Sequence, residues 1–174
     1  PDSEVPSAKM GVLLQILRDL KADGHRALVF SQFVRHLALV RAALEAENFS
    51  LRYLDGSTPS AQRQVEVEAF QAGEGDAFLI SLKAGGTGLN LTAATYVVHL
   101  DPWWNPAVED QASDRAHRIG QEQPVTVYRL IATGTVEEAI VALHARKREL
   151  AEGLLSGAGG AAMDVEELLA LIAT

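Results

Sequence analysis

Two arginines three residues apart, Arg115 and Arg118, stand in the run Gln111-Ala-Ser-Asp-Arg-Ala-His-Arg-Ile-Gly-Gln121. With Asn105 as N-cap and Pro106 at the first helical position, this run is predicted to be a helix ending near Gly120. On such a helix Val108, Ala112, Ala116 and Ile119 form an apolar stripe facing the core, and Gln111, Arg115 and Arg118 form a second stripe beside it. Two guanidiniums side by side repel unless something anionic lies between them, and their fork geometry suits a nucleotide γ-phosphate. Arginines delivered to a transferring phosphate are worth about 10³ to 10⁵ in rate. Standing alone, the pair is better accounted for by an ordinary surface contact of Asp114 with Arg118 at i, i+4.

A second run, Ser81-Leu-Lys-Ala-Gly-Gly-Thr-Gly-Leu-Asn90, follows a buried apolar stretch and holds three glycines in four positions. Backbone N–H groups of such a run can approach an anion closely, while tight turning alone explains the same glycines. The run lacks the Lys-Ser/Thr ending of a nucleotide-binding P-loop, and the chain has no Asp-Glu pair to hold magnesium. Asp101-Pro-Trp-Trp-Asn-Pro106 sets two tryptophans in a strand-to-helix connection: one packs as core or lid, and the other lies against a nucleic-acid backbone or a partner lobe, or both are buried. Ser31-Gln32 and Asp55-Gly-Ser-Thr58 offer hydroxyls and amides at two further strand ends, where turn and cap roles serve equally well. The segment Arg146-Lys-Arg148 reads as a solvated helix face.

The elements that must position these groups alternate along the chain. A helix over Lys9 to Lys21, stopped by Gly24, leads into a buried strand at Ala27 to Phe30 and a helix from Val34 to Glu47. Leu51 to Leu54 is the next strand, followed by the Asp55-Gly56 turn and a helix with Pro59 at its first position. Strands at Ala77 to Leu82, Tyr96 to Leu100 and Val125 to Ile131 follow, and Thr135 with Glu138 forms a capping box for a helix reaching about Leu155. After the break Gly157 to Ala162 a short helix capped by Asp164 is expected. Strand and helix alternation predicts parallel βαβ units, with loops at the carboxyl ends of the strands forming the binding crevice.

At 174 residues and 48% hydrophobic composition the chain suffices for one core. It has no cysteine, and its five histidines show no H-E-x-x-H spacing, so no metal site is expected. No apolar run approaches the ~18 residues of a membrane span, which fits a cytoplasmic protein. The net charge of −8 argues mildly against nucleic acid, although a narrow basic groove can sit on an acidic body.

In this order, the motifs from about Lys9 to Leu155 resemble the second RecA-like lobe of the Swi/Snf branch of superfamily-two helicases. Leu28-Val-Phe-Ser-Gln-Phe33 resembles motif IV and Ser81 to Asn90 motif V. Tyr53 to Thr58 with Arg63 resembles the segment between them, and Asp114-Arg-Ala-His-Arg-Ile-Gly-Gln121 resembles motif VI, the run most specific to the branch. The resemblance implies a RecA-like three-layer α/β sandwich with a mostly parallel sheet over residues 8–134, preceded by a linker at 1–7 from a missing first lobe. It implies further a brace-type helix over 135–156 and a break with a short C-terminal helix over 157–174.

By the same resemblance Arg115 and Arg118 are the catalytic arginine fingers, and Gly88, Asn90 and Gln111 complete the nucleotide side. Ser31, Gln32, Ser57, Thr58, Ser81, Lys83, Gly85, Gly86 and Trp104 face one strand of double-stranded DNA. ATP and Mg²⁺ are expected mainly on the first lobe, with none held by this fragment, which is inactive alone. Leu82 stands where many members have threonine, which weakens the grip implied for motif V. A prokaryotic, nucleoid-associated location and a further protein partner of unknown kind complete the expectation. The competing readings are a non-catalytic nucleic-acid or protein-binding domain with the same fold and, disfavoured by Arg-Ile-Gly-Gln and Trp-Trp-Asn-Pro, an RNA-helicase lobe.

Overall fold

Short, wholly apolar runs flanked by turn formers become central strands because both faces of the sheet are covered. The computed structural model describes residues 8–82, 89–103, 105–117 and 119–155. Its elements, in chain order, are α1 (Ala8–Ala22), β1 (Ala27–Ser31), α2 (Val34–Ala46), β2 (Leu51–Leu54), α3 (Ser60–Gln71), β3 (Ala77–Ser81), β4 (Tyr96–His99), α4 (Pro106–Ser113), β5 (Thr126–Arg129) and α5 (Val136–Leu155). The strands form one sheet in the order β2-β3-β1-β4-β5, and every pairing is parallel. Every residue of β1 and β3 is buried. The expected RecA-like α/β sandwich is what the chain forms.

Two apolar clusters show how the layers are built. On one face Leu13, Leu17 and Leu20 of α1 and Leu37, Val40 and Leu44 of α2 pack with Val29, Leu79 and Val98. On the other, Val67 and Phe70 of α3 and Ala112 of α4 pack with Leu28, Phe30, Phe78 and Val97. The connection after β1 therefore leaves toward one face, and the connection after its neighbour β4 leaves toward the other. Such divergence opens the crevice at a topological switch point.

Three helices stop by the same device. Gly24, Asn48 and Gly73 adopt φ of 76°, 61° and 102°, and the next residue's N–H reaches back five positions, as in His25 to Leu20 at 2.8 Å. Strands β3, β4 and β5 end one or two residues before Leu82, Leu100 and Ile131, where the sequence reading set their ends, and two helix boundaries differ as well. Pro59 is the N-cap of α3 rather than its first helical residue. The larger difference is α4, which ends at Ser113 and not near Gly120. There the bonding tightens to Arg115 N–H on Ala112 and Ala116 N–H on Ser113, and the Arg115 carbonyl accepts from Leu91 N–H at 3.0 Å instead of from its own helix. Ile119, expected in the core stripe, is fully exposed, whereas Ala112 and Ala116 are buried as expected.

Candidate functional site

Arg115 is one of few charged side chains in the interior. It lies in the turn after α4, 6% exposed, with its guanidinium carbon 5.8 Å from the centre of the Phe30 ring at the end of β1. Phe30 in turn stacks on His99, the last residue of β4, at 5.6 Å. His99 shares a hydrogen bond of 3.0 Å between its Nε2 and the Ser113 hydroxyl. Burial, with Arg129 adding to it, lowers the His99 pKa to about 4, so its ring is neutral at pH 7. The Leu91 bond sets Arg115 beside Asn90, whose side chain is exposed. Gln111 is exposed on α4 and does not share a stripe with buried Arg115, because the helix has ended between them. Arg118 lies outside the described residues.

At the switch point between β1 and β4 the Asp101 carboxylate is buried and gathers the loop after β1. It accepts from the Ser31 hydroxyl at 2.6 Å and from the Gln32 N–H at 3.1 Å, and the Gln32 amide donates to the Pro102 carbonyl at 3.3 Å. Burial raises the Asp101 pKa, opposed by the Ser31 hydroxyl and Gln32 N–H. The Ser31 hydroxyl is thus turned inward and also accepts from Phe33 N–H at 3.1 Å. Ser81, its register partner on β3, is equally buried, and its hydroxyl makes no hydrogen bond among the described residues. Both serines are thus buried in the lobe as it stands, with the Ser31 hydroxyl engaged by Asp101.

Ser57 and Thr58 close a turn. The Ser57 N–H and hydroxyl donate to Asp55 Oδ1 at 2.8 and 2.6 Å, and Thr58 Oγ1 accepts from Asp55 N–H at 3.0 Å. The Ser57 hydroxyl, foremost, holds the Asp55 pKa below its usual value. The turn reading therefore describes these residues as they stand. Lys83, Gly85, Gly86, Gly88 and Trp104 lie outside the described residues, as does the tail from residue 156.

Three residues to which the sequence reading assigned no role knit the region together. Glu109, wholly buried in the first turn of α4, accepts from Trp103 N–H at 2.8 Å, pairs with Arg129 of β5 at 3.0 Å and lies 3.9 Å from His144 of α5. Gln121 directs its amide nitrogen at the carbonyls of Thr92, Ala94 and Ala116, at 2.8, 3.1 and 3.1 Å. Gln71 at the end of α3 donates to the Thr92 hydroxyl and accepts from Ala93 N–H. An acid following a helix-opening Asn-Pro and a glutamine after a positive-φ glycine were the available signals, and neither reveals which distant groups it meets. At the start of α5, Thr135 Oγ1 accepts from Glu137 N–H, and Glu138 reaches back to Gly134 N–H, close to the expected capping box. Among the described residues no cluster of acids and histidines fits a metal ion, and no helix is long and apolar enough to cross a membrane.

Comparison with known proteins finds that residues 8–120 match the helicase conserved C-terminal domain. The chain is 41% identical over 174 residues to a Bacillus subtilis protein named as an ATP-dependent helicase/translocase, YwqA, covering 97% of this chain and 19% of that protein. It is 43% identical over 165 residues to the DNA repair protein RAD5A of Arabidopsis thaliana, covering 94% and 16%. With the chromatin-remodeling ATPase INO80 of Aspergillus oryzae it shares 44% over 159 residues, covering 91% and 11%. Its fold matches the crystal structure of the C-terminal part of the Fun30 ATPase domain with a TM-score of 0.77 and 34% identity, covering 82% of this chain and 47% of that one. The chain thus spans a fifth or less of these curated relatives, and their sources, a bacterium, a plant and a fungus, do not favour a prokaryotic origin.

Proposed function

This chain belongs to the helicase conserved C-terminal domain family, in its Swi/Snf-type branch, and from that premise we propose that it is the second motor lobe of an ATP-dependent double-stranded DNA translocase. The observation that best supports the reading is the hydrogen bond from Leu91 N–H to the Arg115 carbonyl, which ties the arginine-bearing turn directly to the end of the glycine-rich run. In this reading Arg115 and Arg118 are the fingers that meet a triphosphate held by a first lobe, with Asn90, Gln111 and Gly88 on the same side. ATP with its magnesium supplies the phosphoryl group that water accepts. The lobe's own donors suit such a ligand: a guanidinium and two exposed amides are all hydrogen-bond donors to phosphate oxygens. The magnesium ligands would come from the first lobe, and this lobe alone is inactive.

Arg115 is buried in the lobe as it stands, so closure onto the first lobe has to bring its guanidinium to the phosphate. Closing and opening with each turnover would advance the motor. Lys83, the Gly85-Gly86 backbone, Trp104 and Gln32 would face one DNA strand, with Ser57 and Thr58 shaping the neighbouring turn. Ser31 contributes from beneath, by fixing the end of β1 to Asp101, and Ser81 lies buried beside it at the end of β3. The names of the relatives, a helicase/translocase, a DNA repair protein and a chromatin-remodeling ATPase, all agree with work on DNA.

The test is DNA-stimulated ATP turnover in the full-length protein. Arg115→Ala and Arg118→Ala should each cut kcat by about 10³-fold or more while ATP binding changes little. Wild-type turnover in both variants would refute the finger assignment. Salt-dependent DNA binding without any ATP turnover in the parent protein would favour a non-catalytic binding domain instead.

A further inference from the structure

Arg115 must be placed to within a fraction of an ångström to act on a phosphate, yet it sits in a non-helical turn, where the helix's own ladder no longer holds it. What fixes that turn is visible downstream. Gly120, at φ of 101°, turns the chain so that the Gln121 side chain folds back under it. Its amide nitrogen has two hydrogens and three carbonyl acceptors within 3.1 Å: Ala116 in the arginine turn itself, and Thr92 and Ala94 in the segment that follows the glycine-rich run. The Gln121 oxygen is also used, accepting from Gln123 N–H at 3.1 Å. From the other side Gln71 of α3 holds Ala93 and Thr92, and Leu91 N–H holds the Arg115 carbonyl. Residues 91–94 are therefore clamped between a rigid helix and the arginine turn, and Gln121 supplies two of the three cross-links from the arginine turn to this segment.

We propose that Gln121 is a positioning residue that fixes the arginine turn to Thr92 and Ala94, and so holds Arg115 in the place from which it acts. The inference rests on the motor reading above and names a part of it that neither arginine can supply. Gln121 is only partly buried, so water can satisfy the three carbonyls when its amide is removed. The fold then survives while the register between the two segments loosens. Misplacement of a catalytic group by about 1 Å can cost on the order of 10²-fold in rate.

The experiment compares Gln121→Met, which keeps length and removes the donor, and Gln121→Glu, which sets a carboxylate against three carbonyls, with the full-length wild type and with Arg115→Ala. Readouts are the melting temperature, KM for ATP and kcat with and without duplex DNA. We expect DNA-stimulated kcat to fall by about 10- to 100-fold in both Gln121 variants, with KM for ATP within about twofold, since the nucleotide rests on the other lobe, and with Gln121→Met melting within a few degrees of the parent. A merely structural role would lower the melting temperature and leave kcat per folded molecule untouched, which would overturn the proposal. If Gln121→Glu fails to fold, Gln121→Met decides alone. Retained turnover in Arg115→Ala would instead bring down the finger reading, and the positioning role with it. Loss of turnover in Arg115→Ala beside normal kcat in Gln121→Met refutes only the role of Gln121.

Discussion

Replacing Glu109 by alanine tests how α4, β5 and α5 are held together. The side chain is wholly buried and carries three links: the Trp103 N–H at 2.8 Å, Arg129 at 3.0 Å and His144 at 3.9 Å. Removing one partner of a buried ion pair costs about 3 to 5 kcal/mol, because the remaining charge is left uncompensated. Here Arg129 is 30% exposed and keeps Asp110 at 3.6 Å, which places the cost at the lower end even with the Trp103 N–H orphaned. We therefore expect a loss of about 3 kcal/mol, equivalent to about 6 to 12 °C in melting temperature for a domain of this size. Glu109→Gln also removes the charge but keeps an oxygen for the Trp103 N–H and fills the same space, so it should lose less, about 2 kcal/mol, or about 4 to 8 °C. Thermal denaturation at neutral pH measures both, and a double-mutant cycle with Arg129→Met should return a coupling of about 1 kcal/mol or more. A shift under about 2 °C for Glu109→Ala would refute the reasoning, as would equal losses for the two variants.

Two other measurements bear on the site. His99 is neutral because burial lowers its pKa to about 4, against 6.5 for the ordinary group. As pH falls from 6.5 to 4 the unfolded chain takes up a proton that the folded chain refuses, so stability is full above pH 6.5 and declines toward pH 4 by up to about 3 kcal/mol from this residue. His36, also lowered chiefly by burial, contributes in the same sense. The stability-versus-pH slope in this window should therefore flatten, but not vanish, in His99→Gln, and an unchanged slope would contradict the buried neutral ring. If the lobe faces DNA beside Gln32, exposed Arg35 in the first turn of α2 is a phosphate contact. Arg35→Ala in the full-length protein should then lower the slope of log affinity against log salt by about 0.9, and an unchanged slope would place that face away from the duplex.

The sheet was legible in the sequence because parallel strands buried on both faces appear as short unbroken apolar runs, and Ala27–Ser31 and Ala77–Ser81 are of that kind. The helix stop at Gly24 was equally plain, since a left-handed residue is needed there and glycine supplies it without strain; Gly73 ends α3 in the same way, although the sequence reading assigned it no such role. The site was legible in composition but not in placement. Helical periodicity carried the arginine run to Gly120, and nothing local to residues 105–120 announces that Leu91 will compete for the Arg115 carbonyl. That tertiary bond moved Arg115 from the side of a helix into a buried turn and left Ile119 in solvent. Glu109 drew no reading at all. An acid in a helix's first turn is normally explained by the helix dipole, and its burial here is matched by the Trp103 N–H and by Arg129, which β5 brings across from twenty residues downstream.

The acidic balance of the chain looks different once its cations are located. Lys9 pairs with Glu137, Arg18 with Glu47, Lys21 with Asp76, Arg41 with Glu45, Arg52 with Glu66 and Glu74, and Arg129 and Arg148 with Asp110. Arg26 lies over the Phe70 ring and donates to the carbonyls of Glu74 and Gly75. These cations serve the fold, and most of their carboxylate partners are neutralised with them. The charge of −8 therefore describes excess acid spread over the outer surface, and a few phosphate contacts need only a few cations on one face. At a screening length of about 8 Å in physiological salt, acids on the far side of a domain this size do little to a groove on the near side. Whole-chain charge is for this reason a weak argument against DNA. Arg35, Arg146 and Lys147 are exposed and make no ion pair among the described residues.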